Sequence, residues 1–192
     1  DPEFGFDPPF LALLVSGGHT KLYAVEAWGV AREIGATRDD AAGEAFDKAA
    51  RMLKLGYPGG PAIQQAAAGW NGAPYKLPRP MLNRGCEMSF SGLKTALRDL
   101  LERRDPDAER PEELVAEMSH ALQAAIVDVL VTKSRRAMQQ TGIERLVIGG
   151  GVAANGPLRS ALGALTSEGY KVYIPAKRWC TDNAAMIGAA GR

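Results

Sequence analysis

With 192 residues, the chain is long enough for one domain with a sizeable hydrophobic core. Its 23 Lys and Arg nearly balance its 22 Asp and Glu, so the chain has no overall positive charge that would indicate a nucleic-acid partner. The two cysteines, Cys86 and Cys180, stand far apart and form no C-x-x-C pair, so a disulfide framework and a cysteine-rich zinc site are excluded and a reducing, cytoplasmic compartment fits. No apolar run approaches the ~18 residues that a membrane span requires, and no signal-peptide pattern opens the chain, which predicts a soluble protein with no membrane partner.

The N-terminal third predicts a β-hairpin. Residues 1–4 are typical of a cloning scar, and the chain enters a strand soon after them, which indicates a piece of a longer protein. An apolar run over 10–15 and an alternating run over 21–25 predict two strands joined by the turn Ser16-Gly17-Gly18-His19-Thr20. The two glycine amides and two hydroxyls of this turn suit phosphate oxygens, and a plain hairpin turn is the alternative interpretation.

Helices are predicted through the middle of the chain. Asp39 or Asp40 caps the first of them, whose buried face is rich in alanine. Pro61, after a second pair of glycines, suits the first position of the next helix, and Gly142 ends the longest one. The predicted helices run over 39–54, from 61 onward, over 89–104 and over 111–140, and the proline-rich stretch 69–89 is predicted to be irregular.

The C-terminal third predicts alternating strands and helices, which indicates an α/β domain. The apolar stretch 145–148 ends in the glycine run 149–151, where backbone N–H groups approach a ligand without a Cβ in the way. The helix that follows adds a field that favours an anion, so a nucleotide is the first interpretation and an ordinary tight turn is the second. The remaining predictions are a helix over 157–167, a strand over 171–174 and a last helix capped within 180–183.

Carboxylates and histidines supply few candidates for chemistry. Glu44 and Asp47 lie three residues apart and share one helix face, which is typical of a solvated face, although a ribose could also donate hydrogen bonds to Asp47. Asp182, at the start of a helix, is either a simple N-cap or a hard metal ligand. The two histidines of the sequence, His19 and His120, form no H-x-x-x-H or H-E-x-x-H pair, so no complete metal site is evident.

Six motifs occur in order along nearly the whole chain. They are LVSGGHT at 14–20, DDAAGEAFDK at 39–48, YPGGP at 57–61, SFSGLKTA at 89–96, GGGVAAN at 149–155 and CTDNAAMI at 180–187. On these motifs the chain resembles the tRNA N6-adenosine threonylcarbamoyltransferases, a family formerly described as O-sialoglycoprotein endopeptidases. Its SGGHT and GEAFDK segments are similar to the bacterial and organellar branch of that family.

The resemblance implies an α/β fold of the actin-like ATPase type, with two ribonuclease H-like lobes and a nucleotide between them. Residues 5–192 would form the second lobe, with a helical insertion at about 61–115, and most of the first lobe would be absent. The resemblance also implies roles for individual residues. The phosphate side of the nucleotide would contact Leu14, Val15, Ser16, Gly17 and Gly18. Its ribose and adenine would contact Asp47 and Gly60, and Asn155 would complete the pocket. Asp182 would bind the metal.

The activity that the resemblance implies is transfer of threonylcarbamoyl from threonylcarbamoyl-adenylate to N6 of adenosine 37, in tRNAs that read codons beginning with A. ATP or threonylcarbamoyl-adenylate would be the nucleotide ligand, and one iron or zinc ion would bind each full-length subunit. The family's other metal ligands are a histidine pair in an H-x-x-x-H motif upstream of SGGHT. This sequence does not contain that motif, so we expect the chain alone to be inactive.

The partners implied by the resemblance are the substrate tRNA, a paralogous dimer partner, a small ATPase and an adenylate-forming synthase, all in the cytoplasm. Basic side chains are candidates for tRNA phosphate contacts, although each is more typical of ordinary solvated charge. These side chains are Lys76, Arg79, Arg84, Arg103 and Arg104.

Two other functions fit parts of the sequence. A small-molecule kinase of the same fold would share the glycine loops, but it needs an aspartate base near an acceptor hydroxyl and does not account for the SGLKTA and CTDNAAMI motifs. A non-catalytic nucleotide-binding scaffold, like the shortened paralogue of the family, would be expected to lose the nucleotide and metal residues. Asn155 and Asp182 are present, which weakens that interpretation.

Overall fold

A five-stranded mixed β-sheet organises the fold. The computed structural model describes residues 7–73, 75–104 and 111–190. The strands are β1 (Phe10–Val15), β2 (Thr20–Ala27), β3 (Val30–Ala36), β4 (Arg145–Gly149) and β5 (Lys171–Tyr173), and their order across the sheet is β3-β2-β1-β4-β5. The first three strands form an antiparallel meander, whereas β4 lies parallel to β1 and β5 parallel to β4. The predicted hairpin and the α/β class are confirmed, and residues 1–4, predicted to be a cloning scar, lie outside the described residues.

Helices connect and cover the strands. They are α1 (Ala42–Met52), α2 (Gly59–Ala67), α3 (Ser91–Arg104), α4 (Glu112–Thr141), α5 (Gly156–Gly163) and α6 (Ala184–Ala190). Short 3-10 turns occupy Gly151–Ala154, Ala164–Glu168 and Lys177–Trp179. The end of α4 is predicted correctly, because Gly142 takes a left-handed φ of 70° and its N–H donates to the carbonyl of Met138 at 2.9 Å.

Helix α4 forms the centre of the hydrophobic core. It contacts β1 and β4 as well as α1, α2, α3 and α5, and its buried apolar side chains include Met118, Leu122, Ile126, Val129 and Leu130. By length and composition alone α4 could also cross a membrane, which corrects the expectation that no apolar run approaches that length. However, 61% of its most apolar window is buried inside the fold, as in the core helix of a soluble protein.

The cap of α1 differs from the prediction. Neither Asp39 nor Asp40 caps this helix, which begins at Ala42. The hydroxyl of Thr20, in the hairpin, accepts a hydrogen bond from the Ala42 N–H at 2.8 Å, and Glu44 accepts one from the N–H of Ala41 at 3.3 Å. Asp40 instead pairs with Lys48 at 2.7 Å. A cap supplied from another element leaves no local signal, so the prediction that Asp39 or Asp40 caps α1 is wrong.

Asp39 holds the start of α3 against the loop that precedes α1. Its carboxylate accepts hydrogen bonds from the N–H groups of Phe90 at 2.7 Å and Ser91 at 3.1 Å, and from the hydroxyls of Ser89 and Ser91. Burial raises the pKa of Asp39, but these hydrogen bonds to Ser89, Phe90 and Ser91 outweigh it and hold the pKa below its usual value. The DDAAGEAFDK and SFSGLKTA motifs are thus joined by hydrogen bonds to the side chain of Asp39.

Replacing Asp39 with Ala is expected to lower the free energy of unfolding by about 1 kcal/mol, the usual cost of a lost helix cap. Because the pKa is lowered on folding, the stabilisation is complete above the ordinary aspartate pKa of about 3.9 and is lost as the pH falls through the folded value. Urea denaturation at pH 7 and below pH 4 checks both statements. Asp99→Ala, on the exposed face of α3, is the control and should change stability by less than about 0.5 kcal/mol.

Other elements also differ from the predictions. Strand β3 was missed because it is an exposed edge strand, with Arg32 and Glu33 in place of an apolar alternation. Helix α2 begins at Gly59, two residues before Pro61, and α5 ends at Gly163, where the chain continues as a 3-10 turn. The insertion at about 61–115 stays a prediction, although Ile63 and Leu93 are buried in the same core as the sheet.

Candidate functional site

Two glycine loops meet at one edge of the sheet. Because β1 and β4 are adjacent and parallel, their carboxyl ends lie together, and the loops that follow both strands start at this edge. Gly150 packs directly on β1: a Cβ at Gly150 would lie 2.3 Å from the carbonyl oxygen of Val15. Its φ of 94° also favours glycine. The predicted turn after β1 and the glycine run after β4 are therefore brought into contact.

Helices α1 and α2 complete the site. The N–H of Gly43 donates to the carbonyl of Ser16 at 3.1 Å, so the start of α1 rests on the β1 loop. One turn further, Asp47 Oδ1 accepts a hydrogen bond from the N–H of Gly59 at 2.8 Å, which fixes the start of α2. On the next turn of α2, Gln64 Oε1 accepts a hydrogen bond from the N–H of Gly156 at 2.7 Å. These contacts form a closed ring, which we call the glycine rim: Ser16–His19, Asp47, Gly59–Gly60 and Gly149–Gly151.

The glycines of the rim fall into two groups. A Cβ at Gly59 would lie 2.6 Å from the Cα of Asp47, so this glycine, like Gly150, is required by close backbone packing. In contrast, a Cβ would meet no atom within 4 Å at Gly17, Gly18, Gly60 and Gly151, and a Cβ at Gly149 would make only an ordinary contact of 3.5 Å with Leu14. The rim therefore presents open backbone on one side and packed backbone behind it. Leu14 is 43% exposed beside the rim, whereas Val15 is buried.

The β1 loop is closed on itself by Ser16. The Ser16 hydroxyl oxygen accepts hydrogen bonds from the N–H groups of Gly18 at 3.3 Å and His19 at 3.0 Å. The Ser16 N–H donates to the carbonyl of His19 at 2.8 Å. A phosphate that binds the Gly18 and His19 amides has to replace the serine hydroxyl as their acceptor.

Asn155 lies behind the rim rather than on it. Its side chain is 8% exposed, its Oδ1 accepts a hydrogen bond from the N–H of Leu158 at 3.0 Å, and its Nδ2 donates to Gln123 Oε1 at 2.9 Å. The Gly156 N–H is bonded to Gln64, and Pro157 has no N–H. The first amides of α5 are therefore not free for an anion, which corrects the expectation that this helix end faces the ligand.

Glu44 and Asp47 do not act as a pair. Glu44 accepts a hydrogen bond from Lys48 at 2.9 Å, and this bond lowers the pKa of Glu44. Asp47 turns toward Gly59, away from that ion pair. Of the two carboxylates, Asp47 is the one that belongs to the rim.

The described residues do not form a metal site by themselves. Asp182 is exposed, and Asn183 rather than Asp182 caps α6, because Asn183 Oδ1 accepts a hydrogen bond from the N–H of Met186 at 3.0 Å. In the described parts of the chain, no three His, Cys, Asp or Glu side chains lie close enough to hold a metal ion. A single exposed carboxylate does not fit an iron or zinc ion, which takes several ligands.

The candidate basic residues are dispersed. Arg79 is tied to Asp128 at 2.6 Å and to the carbonyl of Leu77, so it has a structural role. Lys76, Arg84 and Arg103 are exposed. The side chain of Arg104 lies outside the described residues.

Gln64 and Gln123 are the polar residues of the site that the sequence did not indicate. Each is an isolated glutamine on a helix, so neither spacing nor motif singles it out. Both also line a groove of about 900 Å³ between α2, α4 and α5, behind the rim. This groove is open to solvent and is lined by helix residues rather than by the glycine loops.

A family model described as tRNA N6-adenosine threonylcarbamoyltransferase matches residues 2–189. Proteins of that name from Thermodesulfovibrio yellowstonii and Bordetella petrii are 48% and 51% identical to the chain, each over 99% of it. The chain spans 56% and 55% of their lengths, so it corresponds to about half of each.

Solved structures show the same fold at low identity. HypF of T. kodakarensis has a TM-score of 0.58 at 15% identity. The match covers 85% of this chain and 20% of HypF. A second neighbour is the activator of the 2-hydroxyisocaproyl-CoA dehydratase from Clostridium difficile, solved with bound ADPNP. It has a TM-score of 0.51 at 14% identity, and the match covers 95% of this chain and 57% of the activator chain. These likenesses show the actin-like ATPase fold and nothing more specific.

Proposed function

The chain belongs to the tRNA N6-adenosine threonylcarbamoyltransferase family, and from that membership we propose that the whole protein transfers threonylcarbamoyl from threonylcarbamoyl-adenylate to tRNA. The acceptor is N6 of adenosine 37, in tRNAs that read codons beginning with A. This chain contributes the nucleotide-binding face of the second lobe, and ATP or threonylcarbamoyl-adenylate is its ligand.

The observation that carries this proposal is the glycine rim. Elements distant in sequence are linked there in a closed ring, and Gly17, Gly18, Gly60 and Gly151 leave their backbone open on one face. Open backbone amides suit phosphate oxygens, and Asp47 beside them suits ribose hydroxyls. The fold neighbour with bound ADPNP supports a nucleotide as the class of ligand.

In the proposed reaction, the N6 amine of the tRNA adenosine attacks the carbamoyl carbon. A carbon–nitrogen bond forms, the bond from that carbon to the phosphate oxygen breaks, AMP leaves, and the amine loses a proton. The amides of Gly17 and Gly151, and that of Gly18 once the phosphate has replaced the Ser16 hydroxyl as its acceptor, stabilise the negative charge that develops on the leaving phosphate. The ring behind them holds the adenylate in place for attack on one face of its planar carbamoyl group.

We propose that Asp182 supplies one ligand to an iron or zinc ion in the whole protein, where such an ion would polarise the carbamoyl group. The described residues lack the other ligands, so no step of the reaction is assigned to the metal.

The 192-residue chain alone is expected neither to bind iron or zinc tightly nor to transfer threonylcarbamoyl, because Asp182 is exposed without further ligands. Equilibrium dialysis of the chain with Zn²⁺ or Fe²⁺ checks the first expectation, with Asp182→Ala as control. One tight site per chain that disappears in the Asp182→Ala variant would contradict it.

The proposed partners are tRNA, a paralogous dimer partner, a small ATPase and an adenylate-forming synthase, in the cytoplasm. Exposed Lys76, Arg84 and Arg103 are proposed to contribute phosphate contacts to tRNA. No membrane partner is proposed, because the apolar α4 is largely buried.

The nucleotide product tests the proposed function. The full-length protein, given threonylcarbamoyl-adenylate and tRNA, is expected to release AMP only when tRNA is present. Release of ADP from ATP in the presence of a small hydroxyl compound would identify a kinase instead. Binding of nucleotide without any product would identify a scaffold.

A further inference from the structure

A buried amide pair links α4 to the loop after β4. Gln123, in the middle of α4, is 6% exposed, and its Oε1 accepts a hydrogen bond from Asn155 Nδ2 at 2.9 Å. The other end of the Asn155 amide, Oδ1, accepts from the N–H of Leu158 at 3.0 Å. Both ends of one side-chain amide are therefore occupied inside the fold.

The two partners fix which way the Asn155 amide points. The Leu158 N–H requires an acceptor, and Gln123 Oε1 requires a donor, so a rotated amide would place like groups against each other at both ends. A buried donor or acceptor without a partner is costly. The backbone N–H of Leu158 selects this orientation of Asn155, and Gln123 supplies the acceptor that Asn155 Nδ2 then requires.

The backbone of Asn155 carries this constraint to the rim. Its N–H donates to the carbonyl of Val152 at 3.0 Å, and the N–H of Ala153 donates to the carbonyl of Gly150 at 2.9 Å. These bonds close the 3-10 turn Gly151–Ala154, whose first residue has open backbone on the rim. A displaced Asn155 would therefore move the amides that face the ligand.

We propose that Gln123 is a positioning residue of the nucleotide site, which acts through Asn155 to hold the Gly149–Asn155 loop in its binding geometry. This inference rests on the proposed function, since it assumes that the rim binds nucleotide. Gln123 itself does not contact the ligand, because its Oε1 is directed to Asn155 behind the rim. The role of Asn155 is likewise to shape the loop through its side chain.

Binding of ADPNP to the full-length protein, measured by calorimetry, tests the proposal in four variants. Gln123→Met has a similar size but no acceptor, and we expect it to bind ADPNP about tenfold more weakly. Gln123→Glu keeps an acceptor for Asn155 Nδ2 and should restore the affinity to within about threefold of wild type. Gln139→Met, at an exposed position of the same helix, should bind as wild type does.

The fourth variant separates positioning from general stability. Val129→Ala, fully buried on α4, should lower the melting temperature at least as much as Gln123→Met but leave ADPNP affinity unchanged. The proposal is overturned if Gln123→Met binds like wild type, if Gln123→Glu binds as weakly as Gln123→Met, or if Val129→Ala weakens binding equally. Wild-type protein that does not bind ADPNP would overturn the proposed nucleotide site as well, so the two failures are distinct.

Discussion

Replacing Lys133 with Met is expected to lower the free energy of unfolding by about 3 kcal/mol, the largest stability effect predicted for a polar residue of this chain. Lys133 is fully buried on α4, and its ammonium donates to three carbonyls of one loop, those of Met81 at 2.6 Å, Arg84 at 2.7 Å and Gly85 at 2.9 Å. Methionine fills a similar volume but removes all three of these hydrogen bonds.

A smaller effect opposes this loss. Burial lowers the pKa of Lys133, and the charge of Arg136 lowers it further, so removing the ammonium also removes the cost of burying a charge. The loss of three hydrogen bonds from a charged donor outweighs that gain, although the Gly85 carbonyl keeps its bond from Arg136 and the Met81 carbonyl keeps its bond from the Arg84 N–H. Chemical denaturation of the chain measures the balance.

Lys21→Met is the matched control for this experiment. Lys21 is 35% exposed and forms a surface ion pair with Glu33 at 2.8 Å, so its loss should change stability far less than the loss of Lys133. A loss below 1 kcal/mol for Lys133→Met, or equal losses for the two variants, would show that the carbonyls find other donors.

Replacing Gly150 with Ala is expected to destabilise the chain by about 3 kcal/mol and to abolish nucleotide binding at the rim. The left-handed φ of 94° alone costs an alanine about 1–3 kcal/mol, and the new Cβ would lie 2.3 Å from the Val15 carbonyl oxygen. Because the clash is between the loop after β4 and the backbone of β1, these two elements have to move apart to relieve it, and the rim opens. Denaturation of the chain and ADPNP calorimetry on the full-length protein measure the two effects.

The neighbouring glycine gives the contrasting result. A Cβ at Gly151 meets nothing within 4 Å, so Gly151→Ala should change stability by less than about 1 kcal/mol. It should nevertheless weaken ADPNP binding, because the added methyl group lies on the open face of the rim. Equal stability of the Gly150→Ala and Gly151→Ala variants would mean that the packed and open glycines are not distinct.

Most of the fold follows from local patterns in the sequence. The alternation of the hairpin, the helical spacing along α4 and the glycine that ends it are signals within single elements, and each was predicted. Strand β3 carries no apolar alternation, because it lies at the exposed edge of the sheet. The order of the strands could not be derived from the residues, since it depends on long-range pairing.

The site was predicted less completely, and for a related reason. Its glycine loops are visible as motifs, and the structure joins them into one rim. What holds the rim together is non-local: Asp47 is bonded to Gly59, Gln64 to Gly156, and Gln123 to Asn155. Asn155 illustrates the limit, because its place in a motif indicated a ligand contact, whereas its side chain is engaged within the fold.

Incorporation of labelled threonine into tRNA by the full-length protein, together with its proposed partner proteins, tests the central claim most directly. We expect incorporation by the wild type, at least a tenfold reduction in Gly151→Val, and no reduction in Gly163→Val, a glycine with similar free space at the far end of α5. Absence of incorporation by a wild-type protein that still binds ADPNP would contradict the transferase account, and equal incorporation by both variants would contradict the placement of its nucleotide on the glycine rim.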